Sequence, residues 1–456
     1  MTNRDRKPKA AFVGFGEVNT PREFIDDRCA TAADELRKAG IDVIEAPIVS
    51  DDPAGSQADA AVAFLDANSF DALVLCVAGW IPSWAVIRVA DACRHLPVVL
   101  WGLSGWEEGE RFITTADQAG TTALRKPLAD MGYCFKYVVN FRGRRSRAPE
   151  VASYCRAAGA SARLRQARIG MAGYRDMRLY GTTYDPAKLK AVTGVEIEHF
   201  DLLELQQLME KVTTEQTEEL VAFIRDNWEL VREPQAATLE QSVRLCAAIR
   251  TKLNEERYDG FSYNDVDGIK KLLGFAPAGA MTLLHQLETV SSVPENDSLG
   301  AVTQLMVRSL TGQIGAYLEF YEFMQDGAMM GVPDYVPAEI VDGRVTVMPN
   351  AFGDFGEGLL NVSKLKTGPV TLARLSTSGS EYIMHLTTGT ARKPIAWEEA
   401  GWAPPAPQLP SLDIEFDTPA TDFLDKVLGQ HYILCYGNNT AVLEDLCGIL
   451  GIQVLN

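Results

Sequence analysis

No two of the eight cysteines (Cys29, Cys76, Cys93, Cys134, Cys155, Cys246, Cys435, Cys447) approach CxxC spacing. That excludes a CxxC-type redox or metal motif, and most of the thiols lie in apolar runs where they behave as small hydrophobes, reduced and structural. Long apolar runs are missing too. The longest, around Ala72 to Ile87, is broken by Gly79, Pro82 and Ser83, and the charged start MTNRDRKPKA leads into only a short apolar segment. Neither a membrane span nor a secretory signal is expected, and the cytoplasm is the expected location. Basic residues are outnumbered, 43 against 61 acidic ones, for a net charge of −18. Such a surface repels phosphate backbones and anionic lipid, which argues against nucleic-acid and membrane partners. Histidine is scarce, with five in the chain, so each can be weighed singly.

What is present is enough apolar material for large cores. With 456 residues, 46% of them hydrophobic, the chain is too long for one ordinary domain. Short apolar runs alternate with helical patterns from residue 9 to about 163: AAFVGF, IDVIEAP, DALVLCVAG and PVVLWGL, with helices between. That order implies a parallel sheet covered on both faces. A second round begins at ARIGMAG (167–173), with amphipathic helices through 201–231 and 237–256. Beyond about residue 330 the texture turns β-rich: AEIVDGRVTVMP carries an Asp-Gly hairpin signal, and VTLARL and YIMHLTTG read as strands. WAPPAPQLP (402–410) is too rich in proline for helix or central strand and reads as a strap. LDIEFD, a helix at 420–428, HYILCYG and a helix near 440–449 then resume the alternation. The expected fold is α/β: two doubly wound parallel-sheet domains, 1–164 and 165–328, followed by a C-terminal β-rich, barrel-like domain with flanking helices, 329–456.

The first strand ends in GFGEVN, where Gly14 and Gly16 mimic the start of a dinucleotide fingerprint and Glu45 stands where a ribose-binding acid would. Asn19 occupies the place of the third glycine, and glycines at such turns are also common for steric reasons. An NAD-dependent oxidoreductase is therefore the weakest of the functional readings. Of the histidines, His95, His199, His285 and His385 have structural readings. His431 differs because it opens the strand HYILCYG just after Gly429, where a side chain can project into a cleft. Glu295 precedes a helix that Ser298 can cap, with Leu299, Val302, Met306 and Leu310 at helical spacing; the helix dipole favours an ionised carboxylate there. Glu319 follows the apolar run IGAYL at the end of a short strand, with Glu322 as its competitor.

PENDSLGAVTQLMVRSLTG followed by AYLEFYEFMQDGAMMG resembles the catalytic stretch of the L-fucose/L-arabinose isomerase superfamily, in which one acid precedes a helix and a second follows the next strand. The 24-residue separation of Glu295 and Glu319 is similar to that of the L-fucose isomerase branch. KLKTGPVTLARL, GQHYILCYGN and ARIGMAGYRDMRLYGTTYDPAKLKAVTGVEIEHFDLLEL are similar to other parts of the family, so the resemblance touches most of residues 165–456. It implies that Glu295, Glu319 and His431 bind one divalent ion, Mn²⁺ by preference, and that the chain isomerises an open-chain aldose to its ketose. The substrate is then a fucose- or arabinose-like or a modified sugar. It implies also that one glutamate moves a proton between C2 and C1 while the other relays one between O1 and O2, with their roles unassigned. A homo-oligomer, trimeric or hexameric, is implied as well. The arabinose isomerase branch carries another histidine near the position of Val332, which favours the three-ligand arrangement here. Trp80 and Trp397 are candidates for sugar contacts, because aromatic faces stack on sugar C–H faces, and Arg22 is a candidate to reach a hydroxyl or an anionic substituent. A non-catalytic sugar-binding protein of the same fold is the alternative reading.

Overall fold

The structure, a computed structural model, describes residues 6–288, 290–332, 335–350, 356–394 and 411–456. The chain divides into two compact units, Met1–Arg163 with Gly448–Leu450, and Leu164–Cys447 with Gly451–Asn456.

The first unit alternates β1 (Lys9–Phe15), α1 (Arg22–Lys38), β2 (Asp42–Glu45), α2 (Ser56–Asp66), β3 (Ala72–Val77), α3 (Ser83–Ala92) and β4 (Val98–Gly102). After a small ribbon, β5 (Trp106–Glu108) and β6 (Arg111–Ile113), come α4 (Asp117–Asp130), β7 (Phe135–Val139) and α5 (Ala148–Leu164). The main sheet is parallel, in the order β2-β1-β3-β4-β7, one of the two common doubly wound orders. All six residues of β3 are buried, as a sheet covered on both faces requires. Along β1 the alternation sends Phe12 into one apolar cluster and Val13 into another.

The glycines of GFGEVN have a steric reason. A Cβ on Gly14 would lie 2.4 Å from Cys29 Sγ, and one on Gly16 would lie 2.5 Å from the Ile25 side chain. Both glycines therefore let α1 lie close against β1, and Glu45 forms an ion pair with Arg37. No dinucleotide is needed to explain any of the three.

The second unit begins with β8 (Arg168–Ala172), α6 (Pro186–Thr193), β9 (Glu196–Phe200), α7 (Leu202–Lys211), α8 (Thr214–Asn227), β10 (Glu229–Leu230), α9 (Ala236–Glu256), β11 (Gly260–Tyr263), α10 (Ala278–Leu287), β12 (Ser291–Ser292) and α11 (Ser298–Thr311). It continues through β13 (Ala316–Met324), β14 (Gly327–Gly331), β15 (Thr346–Asn350), β16 (Gly358–Asn361), β17 (Gly368–Ser378), β18 (Glu381–Arg392), β19 (Ser411–Phe416), α12 (Ala420–Leu424), β20 (His431–Tyr436), α13 (Thr440–Leu450, which ends in the first unit) and β21 (Gln453–Leu455). A parallel sheet runs β12-β11-β8-β9. Six antiparallel strands, β17-β20-β13-β14-β19-β18, close into a barrel through the pairing of β17 with β18. One apolar cluster runs from Leu245 and Ile249 of α9 through Phe261 of β11 to Leu372, Leu412 and Leu434 of the barrel. The mixed α/β class with a barrel is thus the one expected from the sequence.

Local details differ. The pattern over 201–231 is two helices, because Thr213 and Gln216 make a capping box that starts α8 afresh. The Asp-Gly pair at 342–343 turns the chain, with Gly343 at φ 97°, but it joins no hairpin. Ala338–Ile340 is a 3₁₀ turn, and β15 pairs with β10 and β16 instead. The strap at 402–410 lies outside the described residues. All eight cysteines are free. Among the described residues, no helix is long and apolar enough to cross a membrane.

Candidate active site

Glu319 stands in the middle of β13 and not at a strand end. β13 pairs with β20 of the barrel, and the register sets Glu319 directly opposite His431, the first residue of β20. Cross-strand partners share a face with Cβ atoms about 5 Å apart, and Glu319 Oε2 lies 3.4 Å from His431 Nε2. Glu322 is exposed further along β13, past a register shift between Phe320 and Glu322. Of the two acids, Glu319 is the one whose strand register faces the histidine.

Glu295 arrives from the parallel sheet. Just beyond β12 the chain turns through two consecutive left-handed residues, Glu295 (φ 65°) and Asn296 (φ 48°). Neither is glycine, so each costs roughly 1–2 kcal/mol. Asn296 holds the turn in place: its Nδ2 donates to the carbonyls of Ala172 (2.9 Å) and Tyr174 (2.8 Å), and its N–H donates to Tyr263 (3.0 Å). The turn leaves Glu295 Oε2 3.9 Å from His431 Nε2. The side chains of His431 and Glu295 are 4% and 9% exposed and that of Glu319 is 26% exposed, so the cluster meets solvent on the Glu319 side.

Asp297, and not Ser298, caps α11, accepting from Gly300 N–H at 2.9 Å. It also forms a two-pronged ion pair with Arg374, whose Nη2 donates to Oδ1 at 3.2 Å and whose Nη1 donates to Oδ2. Tyr317 donates its hydroxyl to Asp297 Oδ2 at 3.0 Å, and the Tyr317 hydroxyl oxygen lies 2.8 Å from His431 Nδ1. The Tyr317 and His431 rings lie face to face, centroids 4.3 Å apart. Burial pushes the Asp297 carboxyl upward, but the Arg374 guanidinium and Gly300 N–H outweigh it and hold Asp297 below the usual carboxylate range. Burial first, and then the charge of Asp297, raise the Tyr317 phenol well above its ordinary value.

Glu295, Glu319 and His431 offer two hard carboxylates and one imidazole, a donor set suited to Mn²⁺ or a similar divalent ion. Donors sharing one such ion stand about 3 Å apart, so separations of 3.4 and 3.9 Å leave a modest side-chain closure to make. In keeping with that gap, no group of three or more His, Cys, Asp or Glu among the described residues is placed to hold a metal ion as it stands. The three residues fit such an ion in the chemistry of their donors, and holding one would need their side chains to close together.

Two of the other candidates, Trp80 and Arg22, belong to the first unit. Trp80, just beyond β3 in the first unit, is 39% exposed, and Arg22 on α1 is exposed and pairs with Asp26 at 2.6 Å. Trp397 lies outside the described residues. Val332 is buried in the second unit's apolar cluster. His285 and His385 are core residues. His285 lies 2.7 Å from Ser292 Oγ, with its pKa lowered by burial to about 3. His385 bonds to Tyr432 OH at 2.8 Å, its pKa lowered by burial to about 4.

Asn296, Asp297, Tyr317 and Arg374 were not singled out from the sequence, although signals existed. Tyr317 lies two residues before Glu319 on one strand face, and Arg374 is the lone cation in the apolar run VTLARL. Left-handed φ at Glu295 and Asn296 had no glycine to announce it.

The family model of the L-arabinose isomerase central domain matches residues 175–283. This is less than half of the chain, lies within the second unit, and stops short of Glu295. It supports the arabinose/fucose isomerase superfamily without fixing a member. No curated protein matches the chain. A solved structure, an ABC transporter periplasmic solute binding protein from Actinobacillus succinogenes 130z with bound D-allose, is 14% identical over 67% of this chain and 92% of that one. Its TM-score of 0.16 is too low to carry an argument about fold or function.

Proposed function

We propose that the protein is a metal-dependent aldose–ketose isomerase acting on an open-chain sugar, with Glu295, Glu319 and His431 holding one divalent ion, Mn²⁺ by preference. One observation carries the reading. A helix-leading loop and two barrel strands deliver two carboxylates and an imidazole to one largely buried place, the nearest oxygens 3.4 and 3.9 Å from the same ring nitrogen. The match to an L-arabinose isomerase domain at 175–283 supports the chemistry.

Bound there, the ion would polarise the sugar's carbonyl and adjacent hydroxyl, lowering the cost of removing the proton on the carbon between them. The chain supplies the proton carriers. One of Glu295 and Glu319 takes the proton from C2, leaving an enediol, and returns it to C1; the other moves the hydroxyl proton from O2 to O1. No atom is gained or lost. Seclusion of Glu295 and His431 from water strengthens their interactions with a bound charge, while the more open Glu319 side admits the sugar. A homo-oligomer and binding of the sugar by Trp80, Trp397 or Arg22 belong to the same proposal.

The test is a panel of aldoses, deoxy and anionic ones included, assayed for ketose with Mn²⁺ and with chelator. The proposal expects ketose from at least one aldose, lost with chelator and restored by Mn²⁺. Ketose formation indifferent to chelator, or none across the panel, would count against it. A sugar bound with no ketose formed would move the protein to the non-catalytic, sugar-binding reading.

A further inference from the structure

We infer that Tyr317, held by Asp297 and Arg374, is a positioning residue that fixes His431 in the tautomer with its proton on Nδ1, so that the bare Nε2 faces Glu295 and Glu319. The inference rests on the proposed role of His431 and adds three residues to it. Four donors converge on the two oxygens of Asp297: Arg374 Nη1 and Nη2, Gly300 N–H at 2.9 Å and the Tyr317 hydroxyl at 3.0 Å. A carboxylate so surrounded is an acceptor only. Tyr317 has a single hydroxyl hydrogen, and it is committed to Asp297. Its oxygen, 2.8 Å from His431 Nδ1, can therefore only accept, and the hydrogen in that bond must be the one on Nδ1.

The consequence falls on the opposite side of the ring. In the neutral form that carries its proton on Nδ1, His431 turns a lone pair toward Glu319 Oε2 at 3.4 Å and Glu295 Oε2 at 3.9 Å. A lone pair aimed at two carboxylates has a purpose if a cation is to lie among them. A hydrogen-bond partner on the far nitrogen commonly sets a metal-ligating imidazole in this way, and losing such a partner typically costs 10–100-fold in affinity. Here a tyrosine stands between the histidine and the carboxylate, and a buried arginine anchors the carboxylate. Arg374, Asp297 and Tyr317 are each at most 3% exposed, so water has little access to replace any link.

Tyr317→Phe tests this while keeping the ring stacked on His431. Mn²⁺ titration by calorimetry is expected to show about 10–100-fold weaker binding than wild type, with the circular dichroism of the folded protein retained. Solid-state ¹⁵N spectra of metal-free, [¹⁵N]histidine-labelled protein at pH 8 give the readout that a merely structural role would not move. Assigned by difference from His431→Gln, wild-type His431 is expected with Nδ1 protonated and Nε2 bare, and Tyr317→Phe with a mixture of tautomers. The wild-type spectrum stands by itself if Tyr317→Phe fails to fold. A wild-type His431 protonated on Nε2, or a Tyr317→Phe protein with unchanged tautomer and Mn²⁺ affinity, overturns the inference. His431→Gln separates it from the functional proposal: undiminished Mn²⁺ binding there sinks the metal site itself, whereas binding lost there but intact in Tyr317→Phe sinks the relay alone.

Discussion

The two units bury charge very differently. In the first, the parallel sheet is filled with apolar side chains, and the buried pair Arg28–Asp117 (2.6 Å) leaves Arg28 12% exposed. In the second, Arg374 and Asp297 are 3% and 1% exposed, Glu295, His431, His285, His385, Lys270 and Asp265 are buried, and Glu295 is itself left-handed without being glycine. Burying charge and straining backbone both oppose folding. A chain able to build an apolar core in one unit and departing from it in the other marks where its chemistry is concentrated.

The largest expected effect breaks that contrast at the carboxylates. Glu295→Gln and Glu319→Gln should each lower isomerisation by about 10²–10⁴-fold, the usual weight of an acid or base, while thermal melting moves little. Activity at wild-type rate in either variant, with Mn²⁺ present, would remove that glutamate from the mechanism.

Next comes the ion pair. Arg374→Met leaves Asp297 buried without its counter-charge and should cost about 3–5 kcal/mol in chemical denaturation. Arg28→Met, at the more open pair of the first unit, should cost less. Equal costs would mean that depth of burial is not what separates the units.

Acid sharpens the comparison. Burial lowers His285 to about 3 and His385 to about 4, whereas unfolded histidine titrates near about 6.5. Between those values the unfolded chain binds more protons, so stability falls as pH drops from about 6.5 toward 4 and is retained above that range. Hydrogen exchange followed peptide by peptide should show protection lost across this window in the second unit, and less so in the first. Uniform loss in both units would point away from these histidines.

The smallest effect tests the glycines. Gly14→Ala must move Cys29, 2.4 Å from the new Cβ, and should cost roughly 1–3 kcal/mol with no change in Mn²⁺ affinity. A stability loss accompanied by weaker Mn²⁺ binding would contradict the steric account.

These contrasts bear on what a sequence can disclose. Alternating runs such as ALVLCV and ARIGMAG made the parallel sheets legible because covered sheets demand continuous apolar strands. The β-rich texture after residue 330 showed the barrel, but β13 and β14 precede it in the chain. That is why Glu319 looked like an α/β strand end while in fact it is a mid-strand barrel residue paired with His431. Their neighbours made Glu295, Glu319 and His431 open candidates and the family resemblance joined them into one set, but their convergence depends on register, which no local pattern contains. Asp297 displaced Ser298 as the cap because its carboxylate answers both the helix N–H and Arg374, and the arginine is 77 residues away.

The most direct measurement is anomalous diffraction at the manganese edge from crystals grown with Mn²⁺. The account predicts one strong peak per chain, within bonding distance of His431 Nε2 and a carboxylate oxygen from each of Glu295 and Glu319. No peak at this cluster, with manganese bound elsewhere in the chain, would contradict it.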